Sequence, residues 1–585
     1  MPGTILAALI LLPVPPQATA QNTERASDLR DFLERYATDR SSLMRCYRIA
    51  MSPGRLARLR RFHEKWQASL RELDFESLDQ DGRVEYVLFR NLLRRELRRI
   101  EHEAERNQEI HALVPFWKRI VELAEKRQRL ETIDPARTAE RLDELAKQVA
   151  GLRASLGAKP GPGEQASATT AVMRTVAKRA ARKLAELRRT LSDWFGFYDG
   201  YDPLFSWWVR SPYAELEREL RDYEALMRKR LVSRGEDNPV LGDPIGREAL
   251  LAELACEMLP YTPEELLEIA EREFRWCEKQ RLAASRELGF GEDWQKALEH
   301  VKTLHVAPGK QPELIRDLAN EAIRFLEERE LVTIPALCKE TWRMDMMTPE
   351  RQKMTPYFTG GETISVSFPT DAMAHRDKLM SLRGNNVHFS RATVHHELIP
   401  GHHLQGFMTA RHRTWRRIFR TPFWGEGWAL YWEMLLWDLG FPKSPENRIG
   451  MLFWRSHRCA RIIFSLSFHL EKMSAKEAIE FLIRRVGHER NNATAEVRRS
   501  VQGGYGPLYQ AAYMLGGLQI RALHRELVGS CKMSNREFHD AVLRENSIPI
   551  EMIRAKLTGQ KLTPDYESSW RFYDVGPADA SGKKR

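Results

Sequence analysis

The spacing of apolar residues along the chain predicts an almost wholly helical protein. Over residues 27–153, apolar side chains recur three or four positions apart, which places them on one face of a helix; the runs that begin at Leu29 and Leu88 are examples. Helical spacing continues through most of the C-terminal half. Two helix starts carry further signals. Thr262 is a predicted N-cap followed by Pro263 and two glutamates, and Ser474 is followed three residues later by Glu477, as in a capping box.

One segment departs from this pattern and alternates like a strand. In residues 362–369 (ETISVSFP), Ile364, Val366 and Phe368 alternate with polar residues, which predicts a strand with one buried face. The predicted fold class is therefore mostly α: a multi-helix, two-lobed architecture with a deep cleft and one small β element.

Composition divides the chain into three regions. Residues 1–20 contain a short apolar run followed by two prolines and the small-residue pattern ATA, which is typical of a secretory signal peptide cleaved near Ala20. An N-terminal helical lobe is predicted over residues 21–200, with a Gly-, Pro- and Ser-rich loop at about 157–170. Residues 201–585 are predicted to form the C-terminal catalytic region.

The leader predicts an exported protein, periplasmic or extracellular, with no integral membrane segment once the leader is removed. Its apolar run is too short to span a bilayer, and no later run reaches about 18 apolar residues. No Lys or Arg precedes the run, so an uncleaved anchor stays open as the alternative.

Charge and composition exclude several other classes of protein. The 585 residues are 42% hydrophobic and 30% charged, with a mean hydropathy of −0.51, unlike a disordered chain or a multi-span membrane protein. The 92 Lys and Arg outnumber the 81 Asp and Glu by only 11, and bases are interleaved with acids. Because a nucleic-acid-binding protein concentrates its basic residues on one face, no nucleic-acid partner is predicted.

The most informative segment is TVHHELIPGHHLQ, at residues 393–405. Four of the 17 histidines lie within it, and Glu397 directly follows His396. In a helical His-Glu-x-x-His motif, two imidazoles one turn apart bind zinc, and the glutamate acts as general base toward the activated water. Here the fourth position after His396 is Pro400, so the spacing departs from that motif.

Helix geometry narrows the choice of the second histidine. In an unbroken helix His403 would lie about 10 Å along the axis from His396, whereas two nitrogens bound to one zinc ion are only about 3 Å apart. Pro400 cannot continue a regular helix and Gly401 accepts unusual backbone angles, so a bulge there would return His402 to the position of a normal ligand. His402 is therefore favoured as the second ligand, and His403 is kept as the alternative.

The third ligand is expected to be an acid on a neighbouring helix. Glu426 lies 24 residues beyond His402, which allows one helix, a turn and the start of the next. Glu433 lies seven residues further on the same helical face, and it suits a carboxylate that holds the far nitrogen of a ligating imidazole. The predicted set is therefore His396, His402 and Glu426 around one Zn²⁺ per chain, with a fourth position left for water.

These motifs resemble those of a bacterial family designated domain of unknown function 885. The resemblance rests on the strings HExxPGHHxQ from His396 and EGWAxY from Glu426, and weaker matches extend it over most of the chain. The family is described as helical candidate zinc peptidases. The resemblance therefore implies a helical zinc peptidase.

Resemblance also suggests residues that would contact the substrate. The loop that carries Tyr505 and Tyr509 resembles a tyrosine-bearing loop of helical zinc carboxypeptidases and oligopeptidases, which implies that a phenol donor stabilises the oxyanion of the reaction. Gln510 and Tyr513 match the family pattern, and they are added as substrate-binding candidates.

Arg461 and Arg499 complete the predicted site, because a guanidinium can bind a substrate carboxylate through two parallel hydrogen bonds. The sequence thus predicts a zinc-dependent hydrolase, with a peptide as substrate and Glu397 as general base. A zinc hydrolase of another amide or ester, and a non-catalytic helical binding protein that retains the metal site, stay open as alternatives. The sequence does not decide between endo- and exopeptidase action, and it leaves the oligomeric state open.

Overall fold

The computed structural model describes residues 29–574 except 159–172, 234, 237–238, 355–356 and 503. It is 72% helix, with 23 α-helices and one two-stranded sheet among the described residues. The predicted fold class, mostly α with one small β element, is confirmed. The predicted signal peptide and most of the predicted loop at 157–170 lie outside the described residues.

The first three helices belong to the largest hydrophobic core of the protein. They are α1 (Arg30–Cys46), α2 (Pro53–Arg71) and α3 (Gln80–Glu109). Tyr36 and Phe89 are buried in this core together with apolar residues from the C-terminal half. The beginning of the described chain is therefore packed against its end.

The next four helices form a separate core. They are α4 (Trp117–Gln128), α5 (Pro135–Gly157), α6 (Met173–Tyr198) and α7 (Pro203–Met227). Trp194 is fully buried in this core. Helices α6 and α7, which lie on either side of residue 200, pack together in it. The division into lobes at residue 200 stays a prediction.

Sixteen further helices make up the C-terminal part of the described chain. In chain order they are α8 (Gly246–Cys256), α9 (Pro263–Glu287), α10 (Trp294–Thr303), α11 (Gln311–Glu328), α12 (Ala336–Thr341), α13 (Pro349–Met354), α14 (His375–Gly384), α15 (Val387–Glu397), α16 (His402–Thr409), α17 (Pro422–Asp438), α18 (Pro445–His469), α19 (Ala475–Phe481), α20 (Arg490–Gln502), α21 (Tyr509–Leu527), α22 (Asn535–Arg544) and α23 (Ile550–Thr558). The predicted N-cap at Thr262 before α9 and the predicted capping box at Ser474 before α19 are present, and Thr262 also forms a capping box. Within the described residues, no helix combines the length and the apolar content needed to cross a membrane.

The small sheet is parallel and lies against the end of α15. Strand β1 (Arg343–Met346) pairs with β2 (Thr363–Val366), which falls inside the predicted strand 362–369 but is shorter. Val366 is fully buried in a small core that it shares with Val394 of α15. The β element therefore lies beside the helix that carries the predicted metal motif.

Helix α18 is the central helix around which the C-terminal part is built. All of its residues from 449 to 469 are buried, as expected for a helix that packs on every side, and α9, α15 and α21 contact it. Its buried arginines need partners. Arg455 donates to Glu273 of α9 at 2.8 Å, whereas Arg458 and Arg461 lie at the cavity described below.

Candidate metal centre

The predicted metal motif is divided between two helices. Helix α15 ends at Glu397 and α16 begins at His402, so the chain leaves helical geometry between them, as Pro400 predicts. Gly401 lies so close to α15 that an added Cβ would be 1.8 Å from the carbonyl oxygen of His396, which leaves no room for a side chain. The predicted break is confirmed. It brings the His396 and His402 rings together, with their centres 4.9 Å apart.

Side chains from three helices converge at this break. Oε2 of Glu426, near the start of α17, lies 3.2 Å from Nε2 of His402 and 3.8 Å from Nε2 of His396. The three candidate ligand atoms all lie within 4.8 Å of one another. Ligand atoms bound to one metal ion at about 2 Å are roughly 3–4 Å apart. The separations therefore suit a single metal ion.

Acceptor groups hold the far nitrogens of both imidazoles. Nδ1 of His396 donates to Oε1 of Glu433 at 2.7 Å, and Nδ1 of His402 donates to Oε1 of Gln405 at 3.3 Å. The Gln405 amide is oriented by its own donor, since Nε2 bonds the carbonyl oxygens of Trp424 and Gly425. With Nδ1 protonated, each neutral ring has its Nε2 lone pair available to bind a metal ion.

The carboxylate of Glu426 also fits a metal ligand. Its Oε1 accepts a hydrogen bond from the hydroxyl of Tyr509 at 2.5 Å. Its Oε2 is buried and has no hydrogen-bond partner among the described residues, although buried polar atoms ordinarily have one. A cation bound between Oε2 and the two imidazoles would satisfy it. The residues present therefore fit the predicted zinc ion.

Electrostatics at the site favour positive charge. Burial opposes protonation of His402, but Glu426 and Glu397 outweigh burial and raise the pKa of this imidazole to about 9. Burial likewise opposes protonation of His396, and the surrounding carboxylates again raise its pKa. Burial would raise the pKa of Glu426, yet the two imidazoles hold it well below its usual value. The same attraction would stabilise a bound metal cation.

The other two histidines of the motif point elsewhere. Nε2 of His403 bonds the carbonyl oxygen of Cys338 at 2.8 Å, so this ring is not part of the converging set. His395 packs edge-on against the ring of Phe441, and neither of its ring nitrogens has a hydrogen-bond partner among the described residues. Burial lowers the pKa of His395 to about 3. The geometry therefore favours His402 over the alternative ligand His403.

A cavity of about 260 Å³ contains the converging side chains. It brings together most of the residues that the sequence singles out: His396, Glu397, His402, Glu426, Arg461, Arg499, Tyr505, Tyr509 and Tyr513. Gln510 is not brought to it, because Gln510 is buried and donates to Oγ of Ser500 at 2.5 Å. The substrate-binding role of Gln510 stays a prediction.

Glu397 lies beside the converging ligands without belonging to them. It is half-buried and lines the cavity next to the segment before β2. Gly360 of that segment has no room for a side chain, because an added Cβ would lie 2.5 Å from Oε2 of Glu397. The N–H of Gly361 donates to the Glu397 carbonyl oxygen at 3.3 Å. The segment before β2 therefore holds the end of α15 and leaves the Glu397 carboxylate at the cavity wall.

The tyrosines occupy different positions around the cavity. Tyr509 orients a candidate ligand through its bond to Glu426, and burial is the main cause of its raised pKa. The Tyr505 ring stacks on Tyr509 with centres 4.3 Å apart, and the Tyr513 ring lies nearly parallel to His396 at 6.3 Å. The oxyanion role of Tyr505 and Tyr509 stays a prediction.

Sequence reasoning missed two charged residues that line the cavity. Arg458 lies one turn before Arg461 on α18, and its Nη2 is 3.8 Å from Oε1 of Glu433. Glu496 lies one turn before Arg499 on α20 and accepts a hydrogen bond from Nε of Arg461 at 2.7 Å. Both stand three positions from a predicted arginine and so share its helix face, but the sequence alone does not distinguish them from charged residues on solvated helix faces.

Comparison with known proteins identifies the fold and the family. A solved structure described as a "putative lipoprotein of unknown function" from Shewanella oneidensis is 16% identical, with a TM-score of 0.65 over 91% of this chain and 100% of that chain. Another, a "putative lipoprotein" from Colwellia psychrerythraea, is 15% identical, with a TM-score of 0.56 over 91% and 97%. At these identities the likeness shows the fold alone, and no curated protein matches the chain. Residues 48–557 match the family described as bacterial protein of unknown function (DUF885), and the chain therefore belongs to the DUF885 family.

Proposed function

We propose that this chain is a zinc-dependent peptidase in which Glu397 acts as general base. The observation that carries the proposal is a carboxylate outside the ligand set, Glu397, in the same cavity as three converging ligand side chains. Structural zinc sites are closed by four protein ligands, whereas catalytic sites have three and an open position. The three converging ligand side chains, with a carboxylate beside them, therefore resemble a catalytic zinc site.

The metal ion would be held by His396, His402 and Glu426. Zinc bound there supplies a Lewis acid that lowers the pKa of a water molecule and polarises a substrate carbonyl. Glu433 and Gln405 keep the two imidazoles in the tautomer that such binding needs.

In this proposal Glu397 transfers the proton during hydrolysis. Its carboxylate accepts a proton from the attacking water and then passes that proton to the leaving amine, which makes it general base and then general acid. A phenol donor would stabilise the negative charge that develops on the carbonyl oxygen. Because the Tyr509 hydroxyl is bonded to Glu426, Tyr505 is the better candidate of the two predicted donors, and Tyr513 lines the same cavity.

Export is part of the proposal. It is supported by the leader-like composition of residues 1–20 and by two similar structures that are described as lipoproteins. Fractionation of cells that express the full chain should recover the protein outside the cytoplasm. Recovery of uncleaved chain in the cytoplasm would refute export without touching the peptidase proposal.

The test of function compares Glu397→Gln with wild-type protein on the same preparations. Zinc content is measured together with hydrolysis of a peptide library, with and without a chelator. Glu397→Gln should retain zinc and lose nearly all hydrolysis, since general acid–base catalysis contributes about 10²–10⁴ in rate. The matched control is Glu362→Gln, because Glu362 is exposed and pairs with Arg343 at the surface; it should hydrolyse peptides like the wild type.

The outcomes separate the alternatives. Wild-type rates from Glu397→Gln would refute the role of this residue. If the wild-type protein binds zinc and cleaves only esters or non-peptide amides, it is the zinc hydrolase of another amide or ester that the sequence left open. If it binds zinc and cleaves nothing, it is the non-catalytic binding protein.

A further inference from the structure

The candidate metal cavity contains a concentration of arginine. Arg458 and Arg461 of α18 and Arg499 of α20 all line it, and their guanidinium groups are balanced by three carboxylates in the same cavity. Glu433 lies 3.8 Å from Arg458 and counts as a fourth carboxylate, so a divalent metal ion would leave an excess of one positive charge. Charges interact strongly in a partly buried site, so the metal-loaded cavity favours an anionic group of the substrate.

Arg461 has an unused donor in this cavity. Its side chain is 4% exposed, and its Nε donates to Oε1 of Glu496 at 2.7 Å. Its Nη1 is buried and has no hydrogen-bond partner among the described residues. Leaving a buried donor unpaired costs free energy, and buried donors of this kind need an explanation. A ligand whose acceptor atom bonds Nη1 of Arg461 would explain the unpaired donor.

Arg499 lies where this cavity meets a larger one. A second cavity of about 820 Å³ runs between α13, α14 and α20, and it shares Asn492, Ala495, Arg499 and Tyr505 with the first. The smaller cavity is below the roughly 300–1,000 Å³ of a typical small-molecule site. A peptide bound in the larger cavity would therefore place only one of its ends in the smaller one, beside the metal ligands.

The charged residues that line the smaller cavity indicate which end of the peptide it would hold. A positively charged N-terminal amine would need a free carboxylate in the cavity. Glu496 is already paired with Arg461, Glu426 is a candidate metal ligand, and Glu397 is the proposed general base, so none of the three carboxylates is left for the amine. A C-terminal carboxylate instead meets three guanidinium groups, which bind carboxylates through charge-assisted hydrogen bonds.

We infer that Arg461, together with Arg458 and Arg499, forms a carboxylate subsite that binds the free C-terminus of a peptide, so that the chain is a carboxypeptidase. This inference rests on the proposed peptidase function. In the reaction, the oxygen of water adds to the carbonyl carbon of a peptide bond close to the C-terminus. The C–N bond of that peptide bond then breaks, and Glu397 transfers the water's proton to the leaving amine. The products are a shortened peptide acid and a free amino acid or short C-terminal fragment.

The test uses pairs of peptides with identical sequences that end either in a free acid or in an amide. Binding of each pair to zinc-loaded Glu397→Gln is measured by calorimetry, and products of wild-type hydrolysis are identified by mass spectrometry. The acid should bind about 10- to 100-fold more tightly than the amide, as expected for a hydrogen bond to a charged group. Cleavage should proceed from the C-terminus, and the amides should resist it.

Substitutions test whether Arg461 causes the preference for peptide acids over peptide amides. Arg461→Met, made in the Glu397→Gln background, should lose the acid-over-amide preference and retain zinc. Arg461→Met removes the hydrogen-bond donor of the buried Glu496, which keeps Arg499 at 3.7 Å. The double change Arg461→Met with Glu496→Gln therefore removes one charge of each sign and should lose the same preference. Arg448→Met is the matched control, since Arg448 lies on the same helix but pairs with Glu287 near the surface, and it should keep the preference.

Three results would overturn the inference. One is equal binding of acid and amide, and another is a preference for acidic side chains whatever the C-terminal group. The third is internal cleavage of amidated peptides at the rate of the acids, which would leave the peptidase proposal standing. If the wild type hydrolysed no peptide at all, the proposed function would fail with the carboxypeptidase, while the binding data would still report whether Arg461 recognises a carboxylate.

Discussion

The bond between Glu433 and His396 allows a quantitative test of the metal centre. Oε1 of Glu433 lies 2.7 Å from Nδ1 of His396, and the two side chains are only 5% and 3% exposed. A hydrogen bond to an ionised carboxylate is roughly twice as strong as a neutral one. Glu433→Gln keeps the shape of the side chain and an acceptor oxygen but removes the charge. The substitution therefore isolates the electrostatic contribution to His396.

The expected effect follows from what such partners contribute to metal binding. Groups that hold a ligating imidazole change metal affinity by about 10- to 100-fold, or about 1.4–2.7 kcal/mol. Glu433 is one of the groups that raise the pKa of His396, so its loss makes the imidazole a weaker base and a weaker ligand. Because glutamine can still accept the hydrogen bond, we expect the zinc dissociation constant of Glu433→Gln to rise toward the lower end of this range.

Competition with a chelator of known affinity measures the dissociation constant at a fixed pH. Glu273→Gln is the matched control, because Glu273 is also buried and bonded to an arginine, Arg455, but lies outside the cavity. Its zinc affinity should equal that of the wild type. Circular dichroism on the metal-free proteins confirms that both variants are folded. If folded Glu433→Gln bound zinc as tightly as the wild type, the argument that Glu433 tunes His396 would be wrong.

Three further predictions test the ligand set and the core. His402→Ala should abolish stoichiometric zinc binding and His403→Ala should keep it, because the second ring bonds a backbone carbonyl; metal analysis with the opposite result would reverse the assignment. Tyr509→Phe removes the hydroxyl that holds the ligand carboxylate, so chelator competition should show about 3- to 10-fold weaker zinc binding, and no change would contradict this. Arg416→Met removes a buried guanidinium that pairs with three buried carboxylates, those of Asp81, Glu85 and Glu545, and should lower the free energy of unfolding in urea by about 3–5 kcal/mol. Exposed Arg417→Met should change it by less than about 0.5 kcal/mol, and equal effects would refute the argument.

The convergence of the three candidate metal ligands could be predicted from the sequence because the constraint on them is local. Pro400 excludes a regular helix, and the distance allowed between two ligand nitrogens then favours His402 over His403. The separation between His402 and Glu426 matches one short helix, a turn and the start of α17. Each step needs only chain geometry, and the structure brings together the three side chains so chosen.

The rest of the cavity wall could not be predicted because tertiary packing assembles it from distant helices. Arg458 and Glu496 are indistinguishable in sequence from the many charged residues on solvated helix faces. They became part of the cavity because α18 is buried on every side and α20 brings its acid to within hydrogen-bond distance of Arg461. Tyr509 was expected from its loop to face the substrate. The packing of α21 on α17 brings its hydroxyl to Glu426, a contact between distant helices that the sequence did not predict.

Because the motif is divided between two helices, Gln405 of α16 can link two of the candidate ligands, His402 and Glu426. His402 is the first residue of α16, and Gln405, one turn on, accepts a hydrogen bond from its Nδ1. The amide nitrogen of Gln405 donates to the carbonyl oxygens of Trp424 and Gly425, directly before Glu426 on α17. A single side chain therefore holds the second ligand and the backbone next to the third. Because His402 does not share a helix with His396, its position depends on this connection, and a shift of α16 would carry the His402 imidazole and the start of α17 together.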